Sequence, residues 1–234
     1  NGDMAEGKGN AGGGRQDGSD SNPAVVKLTS IEKWKEKEPA EAAYRLLQEA
    51  RTATVTKVER KVTVQEPPLL YDLTTLQKEA NSKHGFSAEQ TLGIAQKLYE
   101  AKLITYPRTG SRHIPEDVFA EIPSLLATLK GSATWGGTAA RMGEPTRRSV
   151  DGTKVTDHHA LLITGIKPKN LAGDDMTVYN MIAGRMLEAF SEKCIKDVTT
   201  VTAECGGVPC TVKGSVTKQT GWRSVYGEEK EETE

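Results

Sequence analysis

At 234 residues the chain is long enough for one large domain or two small ones. Its formal net charge of −1, with 27% charged residues, excludes a globally basic molecule, so a nucleic-acid partner has to be met by a local patch. No apolar run approaches the ~18 residues of a membrane span and no charged-then-apolar leader pattern opens the chain. A cytoplasmic protein is expected.

Residues 1–22, "NGDMAEGKGNAGGGRQDGSDSN", are Gly-rich and carry almost no large apolar side chain. Such a stretch cannot bury enough surface to offset its ordering entropy, so it reads as a flexible segment. Next, "AVVKLTSIEKW" has strand composition, and "AEAAYRLLQEA" at 40–50 is a short helix with Ala43, Leu46, Leu47 and Ala50 on one side. In "TATVTKVERKVTVQE", residues 52–66, valines at 55, 58, 62 and 64 stand among Thr, Lys, Glu and Arg. This pattern predicts a half-buried antiparallel strand.

The two prolines of "EPPLLYD" stop that strand, and the chain turns helical. "LTTLQKEANSK" follows Asp72, a good N-cap, while "SAEQTLGIAQKLYEAK" opens with Ser87 and Gln90 in capping-box spacing. Leu92, Ala95, Leu98 and Tyr99 form its apolar stripe. Two helices joined by "SKHGF" and followed by a short strand "LITY" describe a helix-turn-helix with a possible wing. A further helix is predicted from Pro115, with Glu116 and Asp117 favourably placed in its first turn. Residues 131–154 read as a Gly-rich loop. "MTVYNMIAGRMLEAF" is helical, with Val178, Met181, Ile182 and Phe190 on its apolar side, and the chain then returns to β composition.

The order β, then α, then β predicts an α+β fold: a discontinuous antiparallel β domain (23–68 and 161–226) with an inserted helical domain (69–160). "GEEKEETE" closes the chain as a solvated acidic tail, residues 227–234. Cys194, Cys205 and Cys210 have no C-x2-C spacing and no histidine near them, so free thiols rather than zinc ligands are expected.

Chemistry concentrates in "LITYPRTGSRHI", residues 103–114. The residue before a proline is pushed into extended space, where i and i+2 face the same way. Tyr106 and Arg108 then share a side and Thr109 faces away. A phenol with a pKa near 10 is roughly 0.1% ionised at pH 7 and needs positive charge to attack a phosphodiester. The planar guanidinium of Arg108 can hold two phosphate oxygens. By themselves these residues also fit a packing tyrosine at the end of a strand. "TDHHALLITG", residues 156–165, adds His158 and His159, histidines suited to donating to a phosphate oxygen or to capping a buried edge. Arg147 and Arg148 in "RMGEPTRR" suit either a backbone-contact patch or a solvated loop.

Taken in order, "EPPLLYDLTTLQKEANSKHGFSAEQTLGIAQKLYE", "LITYPRTGSRHI", "TDHHALLIT" and "GW…VY" resemble the type IA DNA topoisomerases, most closely the bacterial topoisomerase III branch, over roughly residues 66–226. The resemblance implies that Tyr106 is the nucleophile, joining a 5′ phosphate of a single strand while another strand or duplex passes. Religation then completes relaxation or decatenation without ATP. It implies that Arg108 positions the scissile phosphate, that His158 interacts with it, and that Thr109 and Ser111 contact the strand; Arg112, His159, Arg147 and Arg148 are further candidates for DNA contact by residue type and position. The family's Mg²⁺ is held by an N-terminal toprim domain with a D-x-D pair, and this sequence contains no D-x-D. Gly110 stands where an aspartate is common in the family. The resemblance therefore implies a central piece of such an enzyme, the arch and tyrosine-bearing parts, inactive for cleavage without the toprim domain in cis. A non-catalytic DNA-binding module of winged-helix type, using residues 71–106, and an interaction domain with no nucleic-acid partner are the competing readings.

Overall fold

The computed structural model describes residues 26–227. The Gly-rich stretch 1–22 and the tail beyond 227 lie outside the described residues. Helices α1 (Lys37–Glu49), α2 (Leu73–His84), α3 (Ala88–Glu100), α4 (Glu116–Thr128), α5 (Gly136–Arg141) and α6 (Gly173–Phe190) accompany strands β1 (Thr29–Ser30), β2 (Ala53–Gln65), β3 (Cys194–Cys205) and β4 (Val208–Gln219). The strands make one antiparallel sheet in the order β1-β4-β3-β2. The expected sharing of one sheet by the two β segments is met, and the chain is α+β. Gly206 and Gly207 at φ 57° and 81° turn β3 into β4, two consecutive positive-φ positions that residues with a Cβ resist.

Several local expectations are corrected. The apolar stripe at 24–34 yields only the two-residue β1 among its described residues. "LITY" forms no strand: its ladder is a lone antiparallel bridge between Ile104 and Ile163, so no wing is built there. The loop 131–154 contains α5 and a 3₁₀ turn at Gly152–Lys154, and "GW…VY" is a 3₁₀ helix, Gly221–Val225, rather than a β segment. On α3 the buried positions are Thr91, Ile94, Ala95 and Leu98; Leu92 is half-buried, and Tyr99 is left exposed.

Strand β2 departs most from expectation. Its register puts Val55, Val58, Val62 and Val64 opposite Ala203, Val201, Asp197 and Ile195. Across β3, Val212 and Val216 pair with Val201 and Asp197 and so share that face. The face is apolar, as the alternation predicts, yet Val55, Val58, Val62, Val64 and Val216 are 46–60% exposed. Helix α1 packs only the hairpin end, where Ala43 meets Cys205, Val208 and Cys210.

The main core lies in the helical part. Leu70, Tyr71, Leu76, Ile94, Leu98, Ile104, Ile114, Ile122, Leu161, Leu162 and Ile163 pack with Val178, Ile182, Met186, Leu187 and Phe190 of α6. Each such side chain contributes about 1.5–3 kcal/mol by leaving water. Helix α6 is buried on every side from Val178 to Phe190 bar the half-buried Asn180, its charged Arg185 and Glu188 included, which pair with each other. It was grouped with the β segments from sequence, and its packing is with α2 and α3. Caps behave as the residues dictate: Asp72 accepts from the Thr75 N–H at 2.6 Å, and Ser87 from the Gln90 N–H at 3.0 Å. The Gln90 side chain reaches Asp174 across to α6, so only half of the capping box closes. Among the described residues no helix is long and apolar enough to cross a membrane.

Candidate active site

The segment 103–114 leaves α3 through Lys102, whose φ of 61° turns the chain sharply. Its backbone is then fixed on both flanks. Leu103 N–H donates to Leu98, Thr105 N–H to Leu162 and Ile114 N–H to Ser149, while Thr109 accepts from Leu73 N–H at 3.1 Å. Exposure alternates from Tyr106 to Ser111. Tyr106 is half-buried and Arg108 exposed, while Pro107 and Thr109 are buried.

Tyr106 meets two rings. His158 lies 4.5 Å away between centroids at 48°, and the edge of Tyr99 lies 5.3 Å away at 77°. The second contact was not read from sequence, where Tyr99 was assigned to the apolar stripe. The signal that could have found it is the distance from the α3 C-terminus to Tyr106, a single tight turn. His158 is itself exposed, and the ring of His159 is fixed by Nδ1 approaching Ala160 O at 2.7 Å.

The hydroxyls of the segment turn inward. Thr105 Oγ1 accepts from Leu162 N–H at 3.0 Å. Thr109 donates to the His158 carbonyl at 2.8 Å and accepts from Ser111 N–H at 3.1 Å. Ser111 donates to the Lys154 carbonyl at 2.8 Å, and Ala160 N–H donates back to the His113 carbonyl at 2.9 Å. The two motifs noted in sequence, 103–114 and 156–165, are thereby joined at successive points.

The arginines expected at DNA divide. Arg108 and Arg148 are exposed. Arg112 turns into the fold, where its Nε donates to Leu70 O at 3.0 Å and an Nη to Leu69 O at 3.3 Å. Arg147 is exposed, but it pairs with Glu116 and lies 4.7 Å over the Phe119 ring. The structure thus brings Tyr106 and His158 together, leaves Arg108 exposed, and gives Thr109, Ser111 and Arg112 internal partners.

The electrostatics beside the site are basic. Burial, then Lys154 and Arg112, hold the His113 imidazole below its usual range, against the pull of Asp151. Asp151 is lowered to about 2 by the Thr153 hydroxyl and Lys154, and it caps the 3₁₀ turn that leads to residues 156–158. Among the described residues no three His, Cys, Asp or Glu side chains gather as a metal site. The Mg²⁺ implied by the resemblance therefore finds no fitting donor set among the described residues.

Comparison with known proteins follows the same lines. A family model described as DNA topoisomerase matches residues 13–234. DNA topoisomerase 3 of Bacillus subtilis (strain 168) is 35% identical over 195 residues, which cover 80% of this chain and 26% of that protein. DNA topoisomerase 3 of Vibrio cholerae is 35% identical over 187 residues, covering 78% and 29%. The structure of full-length topoisomerase I from Thermotoga maritima superposes with a TM-score of 0.63 at 24% identity, over 88% of this chain and 36% of that one, a likeness of fold. The chain spans between a quarter and a third of the length of the two curated relatives. On the family model and these relatives, the chain belongs to the type IA DNA topoisomerases.

Proposed function

We propose that this chain is the tyrosine-bearing part of an enzyme that opens and reseals one DNA strand. Tyr106 Oη attacks the phosphorus of a phosphodiester, an O–P bond forms, and the bond to the 3′ oxygen breaks. The products are a 5′-phosphotyrosyl link and a free 3′ hydroxyl, which takes up the proton the phenol gives up. The link keeps the energy of the broken bond, so the reverse attack reseals the strand without a nucleotide cofactor. Between the two steps another strand or duplex passes, giving relaxation or decatenation.

Arg108 is exposed two residues beyond the half-buried Tyr106, from where its fork would clamp the non-bridging oxygens and favour the phenolate. The His158 imidazole on the Tyr106 ring can donate to the same phosphate as charge develops. His159, its ring turned to a carbonyl, and the exposed Arg148 are proposed as flanking contacts to the DNA backbone. Mg²⁺ is proposed to act from a toprim domain in the full-length enzyme, and the isolated chain is expected not to cleave.

The observation that carries this reading is the Tyr106–His158 ring contact, formed between the two motifs that carry the phosphate chemistry. The test mixes the chain with a separately produced toprim-containing part, single-stranded DNA and Mg²⁺. The expected product is a 5′-phosphotyrosyl adduct at Tyr106, absent in Tyr106→Phe. Salt-dependent duplex binding with no covalent product under any complementation would instead favour a non-catalytic DNA-binding module.

A further inference from the structure

We propose that Thr109 is a positioning residue that holds His158 against Tyr106, rather than a contact to the DNA strand. The proposal rests on the reading of Tyr106 as the nucleophile, and it concerns how the partner of that nucleophile is kept in place. The His158 imidazole is exposed and lies on the Tyr106 ring, so its position depends on the backbone beneath it. That backbone is pinned just after the histidine: the His158 carbonyl takes the Thr109 hydroxyl at 2.8 Å, and two residues on the Ala160 N–H reaches the His113 carbonyl at 2.9 Å.

Thr109 is suited to this by its own surroundings. It is 6% exposed, which leaves little of it to a passing strand. Its hydroxyl donates once, to His158, and accepts once, from Ser111 N–H at 3.1 Å. Its backbone is fixed as well, the N–H to Pro107 at 3.0 Å and the carbonyl to Leu73 of α2 at 3.1 Å. Thr109 therefore ties the segment carrying Tyr106 and Arg108 to the one carrying His158, and anchors both on the first turn of α2. A hydroxyl is required because the acceptor is a carbonyl: a methyl of the same volume would leave that carbonyl and the Ser111 N–H without this partner.

Two substitutions separate the roles. Thr109→Val keeps shape and removes the hydroxyl, whereas Thr109→Ser keeps the hydroxyl. In this chain, NMR of the His158 ring protons reports the ring-current shift from Tyr106. We expect the shift to be lost in Thr109→Val and retained in Thr109→Ser. In the full-length enzyme Thr109→Val should slow strand cleavage by about ten- to a hundredfold, the size of effect a misplacement of about 1 Å produces, with affinity for single-stranded DNA unchanged. Adding it to His158→Ala should slow cleavage no further.

Wild-type shifts and cleavage in Thr109→Val would overturn the proposal. Weaker DNA binding at an unchanged cleavage rate would also overturn it, in favour of a strand contact. If Thr109→Val does not fold, Thr109→Ser decides, because loss of the His158 shift with the hydroxyl present contradicts the proposal. The NMR readout needs no activity. Should Tyr106→Phe cleave like wild type, the nucleophile assignment falls while the ring-current measurement still decides whether Thr109 positions His158.

Discussion

Arg112 and Arg185 donate to the same acceptor, the carbonyl of Leu69, each at 3.3 Å. Leu69 belongs to the short link between β2 and α2, so this one carbonyl joins the segment that carries Tyr106 to the middle of α6. A carbonyl has two lone pairs and accepts both bonds. Arg112 takes Leu70 as well, and Arg185 sits between Glu79 and Glu188 with its guanidinium 4.1 Å over the Tyr71 ring. Burial pushes Glu79 up, but the Tyr71 hydroxyl and Arg185 outweigh it, and its carboxyl lies below the usual range. At Glu188 burial prevails and the carboxyl is pushed up.

The Arg185 side chain is only 7% exposed, so removing it leaves the buried Glu188 without its partner and Glu79 with only Lys83 and the Tyr71 hydroxyl. Arg185→Leu is expected to cost about 3–5 kcal/mol in urea unfolding. Replacing Arg112 with Met should cost less, about 1–3 kcal/mol, because it takes a partner from the Leu70 carbonyl, leaves Leu69 held by Arg185, and leaves no charge unpaired. A loss for Arg185→Leu no larger than that for Arg112→Met would show that the ion cluster is not what fixes α6 to the link.

The Tyr99 ring meets the Tyr106 ring at 5.3 Å, as His158 does at 4.5 Å, and an edge-to-face ring pair is worth about 0.5–1.5 kcal/mol. Tyr99→Leu is therefore expected to lower stability by no more than about 1.5 kcal/mol. Adduct formation at Tyr106 should slow, since one of the two rings that orient the phenol is gone. A rate equal to wild type would assign Tyr99 to packing alone.

Arg108 is exposed, and Arg108→Ala should leave the unfolding free energy within about 0.5 kcal/mol of wild type. The rate of adduct formation should drop by on the order of a hundredfold, as when a donor to developing charge is removed. Arg108→Lys keeps the charge without the planar fork, so it should fall between the two. Unfolding of the alanine variant would favour a structural role for this side chain.

How far the sequence carries is visible in these residues. The existence of α1 to α4 and α6, the Asp72 and Ser87 caps and the order of the β and α segments were legible, because local spacing and side-chain type decide them; the short α5, in a Gly-rich stretch, was not. The outward alternation of Tyr106 and Arg108 was legible for the same reason, from the proline between them. Thr109, Ser111 and Arg112 were not: a hydroxyl or guanidinium serves a phosphate or a backbone carbonyl equally well, and only the tertiary fold brings Lys154, His158 and Leu69 within reach. The valines of β2 illustrate another limit. Period-two spacing tells which residues share a face, whereas their 46–60% exposure depends on what packs there.

Acid should loosen the site before it unfolds the sheet. The folded-state pKa of His113 is depressed, so the folded chain binds fewer protons than the unfolded one as the pH falls through the ordinary histidine range. The stability this contributes is present above about pH 6.5 and is lost as the pH falls from there through the folded value. Asp151, also depressed, acts in a separate window: its contribution is present above about pH 4 and is lost as the pH falls toward about 2. His113 passes its carbonyl to Ala160, so charging its ring between Lys154 and Arg112 strains the joint that holds residues 158–160. Hydrogen exchange at the Ala160 amide should therefore accelerate, relative to amides of the β3–β4 hairpin, as the pH falls below about 6.5 once intrinsic rates are removed. His113→Gln should abolish that acceleration and leave the lower window in place, whereas Asp151→Asn should remove the lower window and leave the upper one.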